Sequence, residues 1–371
     1  MALGPSTLEG LVLRTAFGGV YEGRRVLVTG HTGFKGSWLC LWLTRLGARV
    51  TGLALPADTK PAHWSLLSLD GVRDLNLDLR NRAGIKEALE QTQPEIIFHL
   101  AAQPLVRRSY REPLLTFETN VLGLTHLLET LRGLRSARVF INVTSDKVYR
   151  EQMKPSGYEE EDPLGGHDPY STSKACAELV TACYQHSFFA DGGPRVATAR
   201  AGNVIGGGDW SEDRLVPDFV RAASAGKALE VRNPDAVRPW QHVLEPLSGY
   251  LRLGQLLLEG TAMEGAWNFG PAPSAAIPVR DLVAQMQAIW PVECRTVDAG
   301  RILREAPVLH LDSRKAARML QWRPVWGIED AIRHTLQWYH TYHTQRELRS
   351  VEDLSEYVSA ASAAGLPWMS A

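Results

Sequence analysis

Metal-ligand spacing is the first thing this chain lacks. Its four cysteines, Cys40, Cys176, Cys183 and Cys294, form no Cys-x-x-Cys and no zinc-type pattern. No metal is therefore expected. Cys40, Cys176 and Cys183 lie in apolar helical patterns, where a buried free thiol is the expected state, and a reducing compartment follows. An excess of one charge is missing too. Forty basic residues stand against 41 acidic ones, for a formal net charge of -1. That excludes the clearly basic domain of a nucleic-acid-binding protein. Basic residues gather only locally, at Arg107-Arg108 and around Arg232 and Arg238, a scale suited to a phosphate group. No stretch reaches the roughly 20 consecutive apolar residues of a membrane span. Residues 1–20 lack the basic start and apolar run of a signal peptide and read as an N-terminal extension. We read a soluble, cytoplasmic chain with no nucleic-acid or membrane partner.

What is present is a long alternation of apolar strands and helices. Strands are expected at 25–30, 49–55, 75–78, 95–102, 139–145 and 195–204. Helices are expected at 33–46, 83–91, 113–131 and 170–189. This α/β pattern predicts a doubly wound, Rossmann-type parallel sheet, with ligands at the carboxyl ends of its strands. Residues 21–204 read as the dinucleotide-binding domain. Beyond residue 205, Gly and Pro punctuation increases, and 205–340 reads as a smaller mixed C-terminal substrate lobe. A helix at 240–258 is expected to pack back on the first domain, within 240–260. Residues 341–371 are left as a C-terminal tail.

Gly30-His31-Thr32-Gly33-Phe34-Lys35-Gly36 follows the first strand and opens the first helix. Glycines at this spacing let the backbone turn and approach a pyrophosphate, and the helix N-terminus offers free N–H groups. The second strand ends Leu53-Ala54-Leu55-Pro56, without the acid that usually binds the ribose hydroxyls. Asp58 lies slightly further on as a substitute. No arginine stands where a 2′-phosphate would want one, so NAD is favoured over NADP. Asp78-Leu79-Arg80 after the third strand reads as an adenine contact or as a strand-end turn.

Tyr170-Ser171-Thr172-Ser173-Lys174 places a tyrosine and a lysine one helical turn apart. Lysine can depress the tyrosine pKa, so that the phenolate accepts a hydroxyl proton during hydride transfer. Upstream, Thr144-Ser145-Asp146-Lys147-Val148-Tyr149 sets an acid and a base beside a serine that can hold the same hydroxyl. A simple dehydrogenase has no use for that extra pair. An enzyme that oxidises a sugar, eliminates water and reduces it again does.

The chain resembles the extended short-chain dehydrogenase/reductases, and within them the nucleotide-sugar 4,6-dehydratases. The likeness is greatest to the CDP-glucose 4,6-dehydratase branch. It is carried by GHTGFKGSW (30–38), HLAAQPLVRRSY (99–110), TNVLG (119–123), TSDKVY (144–149), DPYSTSK (168–174), RAGNVIGGGDW (200–210), DRLVPD (213–218) and RPWQHVLEPLSGY (238–250). It implies an NAD-dependent lyase at the entry to the deoxyhexoses of surface polysaccharides. By resemblance, Tyr170 takes the proton of the glucose 4-hydroxyl, Lys174 also binds the nicotinamide ribose, Ser145 holds the 4-oxygen and Asp146 protonates the departing 6-hydroxyl. Related dTDP-sugar dehydratases carry a glutamate where Lys147 stands. Lys147 is then either the base for the C5 proton or an electrostatic stabiliser of the enolate, with a structural ion pair as the remaining reading.

The resemblance also assigns cofactor contacts to Leu100, Ala101, Ala102, Asn120 and Thr144, beside Gly30, Thr32, Gly33, Phe34, Lys35, Gly36, Asp78 and Leu79. It assigns Gln103, Asn203, Asp209, Arg214, Arg232, Arg238 and His242 to the nucleotide sugar. Plainer roles stand beside these: a helix cap for Asn120, a surface position for Arg232, support of the fold for His242. The segment at 150–158 departs from the family's pattern and reads as a loop near the site. Helices 113–131 and 170–189 imply a homodimer or homotetramer. An epimerase would share Tyr170 and Lys174 without needing Asp146 as an acid, and a non-catalytic NAD-binding sensor would need none of the three.

Overall fold

The computed structural model describes residues 13–152, 154–297 and 310–369. Seven strands form one sheet: β1 (Arg25–Thr29), β2 (Arg49–Ala54), β3 (Arg73–Asn76), β4 (Ile96–His99), β5 (Val139–Val143), β6 (Arg195–Arg200) and β7 (Gly265–Asn268). Their order is β7-β6-β5-β4-β1-β2-β3, and every pairing is parallel. The order reverses between β1 and β4, which opens a crevice at their carboxyl ends.

Both faces of the sheet are covered, and alternate residues serve opposite layers. Val26, Val28, Ile96, Phe98, Val139 and Ile141 enter one buried cluster; Leu27, Ile97 and Phe140 enter the other. The first cluster takes Trp38 and Trp42 of α1 (Phe34–Arg45). The second takes Ile85 and Leu89 of α2 (Arg82–Thr92) and Leu124, Leu127 and Leu131 of α3 (Leu124–Leu131). The helix expected at 113–131 is continuous but widens into a π turn over Glu118–Gly123. Helix α4 (Pro169–Tyr184) likewise runs into a π turn over Gln185–Phe189.

Several strands are shorter than the apolar runs implied. The run at 195–204 divides because Asn203 adopts a left-handed φ of 50°. Val204–Ile205 then pairs with Gln241–His242. The third strand begins two residues early, and Asp78 leaves it to accept the Arg80 N–H at 2.9 Å. Strand β7 was missed: four residues between Gly265 and Asn268 carry too little pattern to announce a strand. Cys183, read as buried, is exposed, and Cys176 is half-buried, because α4 turns part of its apolar stripe outward.

Beyond β6 lie α5 (Leu215–Ala225), α6 (Leu244–Leu258), α7 (Ile328–Gln345) and α8 (Ser350–Ala363). The segment set apart as a tail packs on the core through Leu354, Tyr357, Val358, Ala361, Leu366 and Trp368. His334 of α7 meets Asp353 of α8 at 3.0 Å. Trp368 is fully buried and stacks on Phe17, with ring centroids 4.9 Å apart and planes 9° apart. Trp42 and Tyr357 close the same aromatic group. Leu13, Ala16 and Phe17 of the expected extension therefore belong to the core, while residues 1–12 lie outside the described residues. Among the described residues, no helix is long and apolar enough to cross a membrane, and no cluster of His, Cys, Asp and Glu could hold a metal ion.

Trp368→Ala should lower unfolding stability by about 3–5 kcal/mol, the usual cost of emptying a buried tryptophan site. Urea titration should show a reduced midpoint with an unchanged slope; an unchanged midpoint would refute the stacked contact.

Candidate active site

The glycine-rich turn is built for an anion. Gly30 has φ of 74°, and a Cβ at Gly36 would collide with the Gly30 carbonyl. Helix α1 starts from Gly33, which supplies no side-chain cap, so its first-turn N–H groups face the crevice. The end of β4 closes against this turn: the Leu100 N–H bonds the Thr29 carbonyl at 3.1 Å, and the Ala101 N–H bonds Thr29 Oγ1 at 3.2 Å. Leu100, Ala101 and Ala102 are thereby brought to Gly30. Thr32 Oγ1 donates to the Leu55 carbonyl at 2.9 Å, and Phe34 lies half-buried. These residues fit a dinucleotide pyrophosphate. Leu79 is buried, with its carbonyl 3.1 Å from His126 Nδ1. Asp78 is clamped by Arg80, Nη2 to Oδ2 2.6 Å, at a shallow cavity of about 440 Å³ also lined by Asn81, Glu118 and His126. Asp58 does not take the ribose position: it is 77% exposed and points to Arg108 at 3.8 Å.

Lys35 departs from its expected place. Its side chain leaves the turn and runs inward, with Nζ 3.5 Å from the Tyr250 hydroxyl. Burial, and then Arg214, pull its pKa down to about 7, against the opposing pull of Asp146.

Asp168 caps α4 by accepting the Ser171 N–H at 2.9 Å, and Pro169 follows it. This start fixes Tyr170 in the first turn, where its N–H donates to Ser109 Oγ at 3.2 Å. Lys174, one turn on, donates from Nζ to the Val143 carbonyl at 3.2 Å. Ser145 leaves β5 and accepts the Lys147 N–H at 3.2 Å, while its hydroxyl donates to Asp146 Oδ1 at 2.9 Å. The Asp146 carboxylate is buried against Gly202, where any Cβ would collide with it. Burial pushes Tyr170 up to about 12, opposed by a hydrogen bond from Ser145 and reinforced by Asp146. Burial pulls Lys174 down to about 8, opposed by Glu178. Lys147 is half-buried and makes no side-chain ion pair among the described residues, which removes the structural reading of that residue.

Glu178 was missed. It stands on α4 one further turn beyond Lys174 and is 4% exposed. Both its oxygens bind Arg200 at 2.9 Å. Thr144 Oγ1 donates to one of them, and Thr198 Oγ1 donates to the other at 2.6 Å. The Thr144 hydroxyl is thus engaged by Glu178. Arg200 also donates to the Tyr149 hydroxyl at 2.7 Å, which donates to Asn268 Oδ1 of β7 at 2.7 Å. The spacing Tyr-x-x-x-Lys-x-x-x-Glu was the available signal.

The remaining residues divide. Arg214 pairs with Asp209 at 2.8 Å and lies near enough to lower the Tyr170 pKa. Asn203 turns the chain beside them, its carbonyl accepting the Gln241 N–H at 3.2 Å. Arg232 and Arg107 share Asp213 at 3.3 and 2.9 Å on the open rim. Arg238 lies on Val237–Pro239 and bonds the Val237 carbonyl at 2.9 Å. Three of the assigned residues are engaged within the protein. The Gln103 amide is used up on Leu105 and Thr116, at 2.7–3.1 Å. Asn120 is held by Gln103 and Ser173, so it fixes the loop after β4. His242 is fully buried, 4.9 Å between ring centroids from Trp326, and burial holds it neutral, which leaves it a core residue. The segment after Tyr149 is a loop closed by Tyr158, whose hydroxyl bridges the Gln152 N–H and carbonyl at 2.7 and 2.6 Å.

A parallel sheet with a glycine-rich turn at its switch point, and a Tyr–Lys pair facing a serine, define a dinucleotide-dependent enzyme of the short-chain dehydrogenase/reductase type. A sequence profile described as GDP-mannose 4,6 dehydratase matches residues 27–257. The chain is 43% identical over 352 residues to the CDP-glucose 4,6-dehydratase of Salmonella typhimurium, covering 92% of this chain and 98% of that one. It is 28% identical over 348 residues to a dTDP-glucose 4,6-dehydratase of Xanthomonas campestris pv. campestris, covering 86% and 93%. Among solved structures, dTDP-glucose 4,6-dehydratase of Streptomyces venezuelae with NAD and TYD bound superposes with a TM-score of 0.74, at 26% identity, over 85% of this chain and 97% of that one. UDP-glucose 4-epimerase of Brucella ovis, at 22% identity and a TM-score of 0.74 over 85% and 98%, shares the fold. The chain belongs to the GDP-mannose 4,6 dehydratase family.

Glu178→Gln should reduce kcat about tenfold with little change in KM, because Glu178 anchors the serine loop through Thr144 and acts on Lys174 by charge. Removing its charge takes away the group that raises the Lys174 pKa. Lys174 then loses its proton at lower pH, and the alkaline limb of the rate profile should move acidward by roughly one unit. An unmoved limb would count against the coupling.

Proposed function

We propose that the chain is an NAD-dependent hydro-lyase that converts CDP-glucose to CDP-4-dehydro-6-deoxyglucose. The observation that carries this is the Asp146 carboxylate, buried at Gly202 beside Ser145 and within the field of Tyr170. An epimerase has no task for an acid there. The 43% identity to a CDP-glucose 4,6-dehydratase over nearly the whole of both chains supports the same substrate.

NAD would lie on Gly30–Gly36, with Lys174 at its nicotinamide ribose, and when bound supplies a hydride acceptor at C4 and a hydride donor at C6. Tyr170 accepts the proton of the 4-hydroxyl. Its pKa of about 12 is what burial leaves after the Ser145 hydrogen bond and the Arg214 cation have pulled it down, and a lysine cation one helical turn away favours the phenolate that takes the proton. Ser145 holds the 4-oxygen. The new ketone acidifies the C5 proton; as that proton leaves, the C6–O bond breaks, and Asp146 in its carboxylic acid form gives a proton to the departing hydroxyl, releasing water, after which hydride addition at C6 is completed by return of a proton to C5. Lys147 takes the C5 proton or stabilises the enolate. The rim arginines Arg107, Arg232 and Arg238 offer forks for the diphosphate, with the sugar nucleotide held by residues 205–340. The enzyme acts in the cytoplasm. A second copy docks on the apolar face formed by Leu114, Leu122 and Leu179, which are 71%, 52% and 60% exposed, to give a homodimer or a homotetramer built from it.

Purified protein with NAD and CDP-glucose should release product lighter by one water, with no net NADH. Isomerisation without mass change would indicate an epimerase, and NAD binding without turnover a sensor. Asp146→Asn should slow elimination by about 10²–10⁴-fold, the usual worth of a placed acid. Lys147→Arg separates the two lysine roles: an electrostatic stabiliser keeps substantial activity with arginine, and a base does not. Sedimentation of the Leu114→Asp/Leu179→Asp variant should show monomers; an intact oligomer would refute the docking face.

A further inference from the structure

The end of β2 lacks an acid, yet a carboxylate does face the space beside it. Strands β2 and β3 run in register, with Gly52 opposite Asp74 and Ala54 opposite Asn76. Alternate residues share a face, so two of the smallest side chains on β2 lie next to two polar ones on β3. The vacant space above Gly52 is occupied by the His31 ring; a Cβ at Gly52 would collide with it. His31 is fully buried, packs edge-on against Trp64 at 4.5 Å, and places Nε2 3.0 Å from Asp74 Oδ1. Asp74 Oδ2 makes no hydrogen bond among the described residues, and the side chain is 51% exposed. It opens into a cavity of about 220 Å³, lined by Thr32 of the glycine-rich turn, Ala54, Leu55, Trp64 and Asn76. No lysine or arginine lines that cavity.

We propose that Asp74, reaching from β3 past the small residues of β2, binds the adenosine ribose hydroxyls of the dinucleotide and excludes a 2′-phosphate. A vicinal diol offers two O–H donors to one carboxylate. Thr32 ties the cavity to the pyrophosphate turn through the Leu55 carbonyl. The acid's task is thereby moved one strand outward, and His31 positions the acid by its hydrogen bond. A phosphate at the same place would meet a negative charge with no cation to offset it.

This inference rests on the dinucleotide reading and not on the sugar chemistry, so binding is measured with no sugar present. Isothermal titration of the parent protein should give NAD a Kd about tenfold below those of NADP and of NAD lacking the adenosine 2′-hydroxyl, the scale of one charge-assisted hydrogen bond. Asp74→Ala should bind NAD about tenfold more weakly and no longer distinguish NAD from the deoxy analogue. Asp74→Asn keeps an acceptor for His31 and should lose discrimination against NADP. Equal affinity of the parent for NAD and its deoxy analogue would overturn the proposal, and that measurement needs no variant to fold. Failure of CDP-glucose turnover with these affinities intact would fault the sugar reading alone.

Discussion

One buried ion pair, Glu178 with Arg200, governs the geometry on which the catalytic group depends. A carboxylate in the core is costly unless its oxygens are fully used. Here both are, by the guanidinium and by the hydroxyls of Thr144 and Thr198. Thr144 precedes Ser145, and Lys174 lies one turn before Glu178, so the serine loop and the Tyr–Lys helix share one anchor. Arg200 extends the anchor through Tyr149 to Asn268 at the far edge of the sheet. Such a network leaves the loop a single low-energy position, the kind of preorganisation a multistep reaction at one centre requires.

Around that anchor, the charges oppose one another in pairs. Arg214 acts on both Lys35 and Tyr170, and Asp146 opposes it at each. Arg214 is itself paired with Asp209, and Lys174 is countered by Glu178, so the basic groups are balanced by buried carboxylates. Lys35 reaches this group from the glycine-rich turn, so one short loop serves both the pyrophosphate position and the field at the reacting centre.

The parallel sheet was legible because its strands are covered on both faces, and near-continuous runs such as Val26–Leu27–Val28 follow from that. The Tyr–Lys pair and the Ser145–Lys147 triplet were legible because their spacing is itself the geometry. What escaped reading depends on contacts across the sequence. Glu178 looks like any helical glutamate until Arg200 is placed opposite it. His242 lies in a recognisable block but is enclosed by tryptophans distant in the chain. Gln103 and Asn120 satisfy each other, and no local pattern reveals that. The 341–371 segment looked peripheral because its amphipathic pattern says that it packs, not what it packs against.

The stacking of Trp368 on Phe17 bears on how the molecule is made at the ribosome. Phe17 emerges first, and its partner emerges only after roughly 350 intervening residues have been synthesised. Strand β7, which extends the sheet beyond β6, also arrives late. The nascent protein must therefore carry an open apolar seam through most of its elongation. Such a chain depends on slow closure of distant contacts and exposes a sticky surface meanwhile.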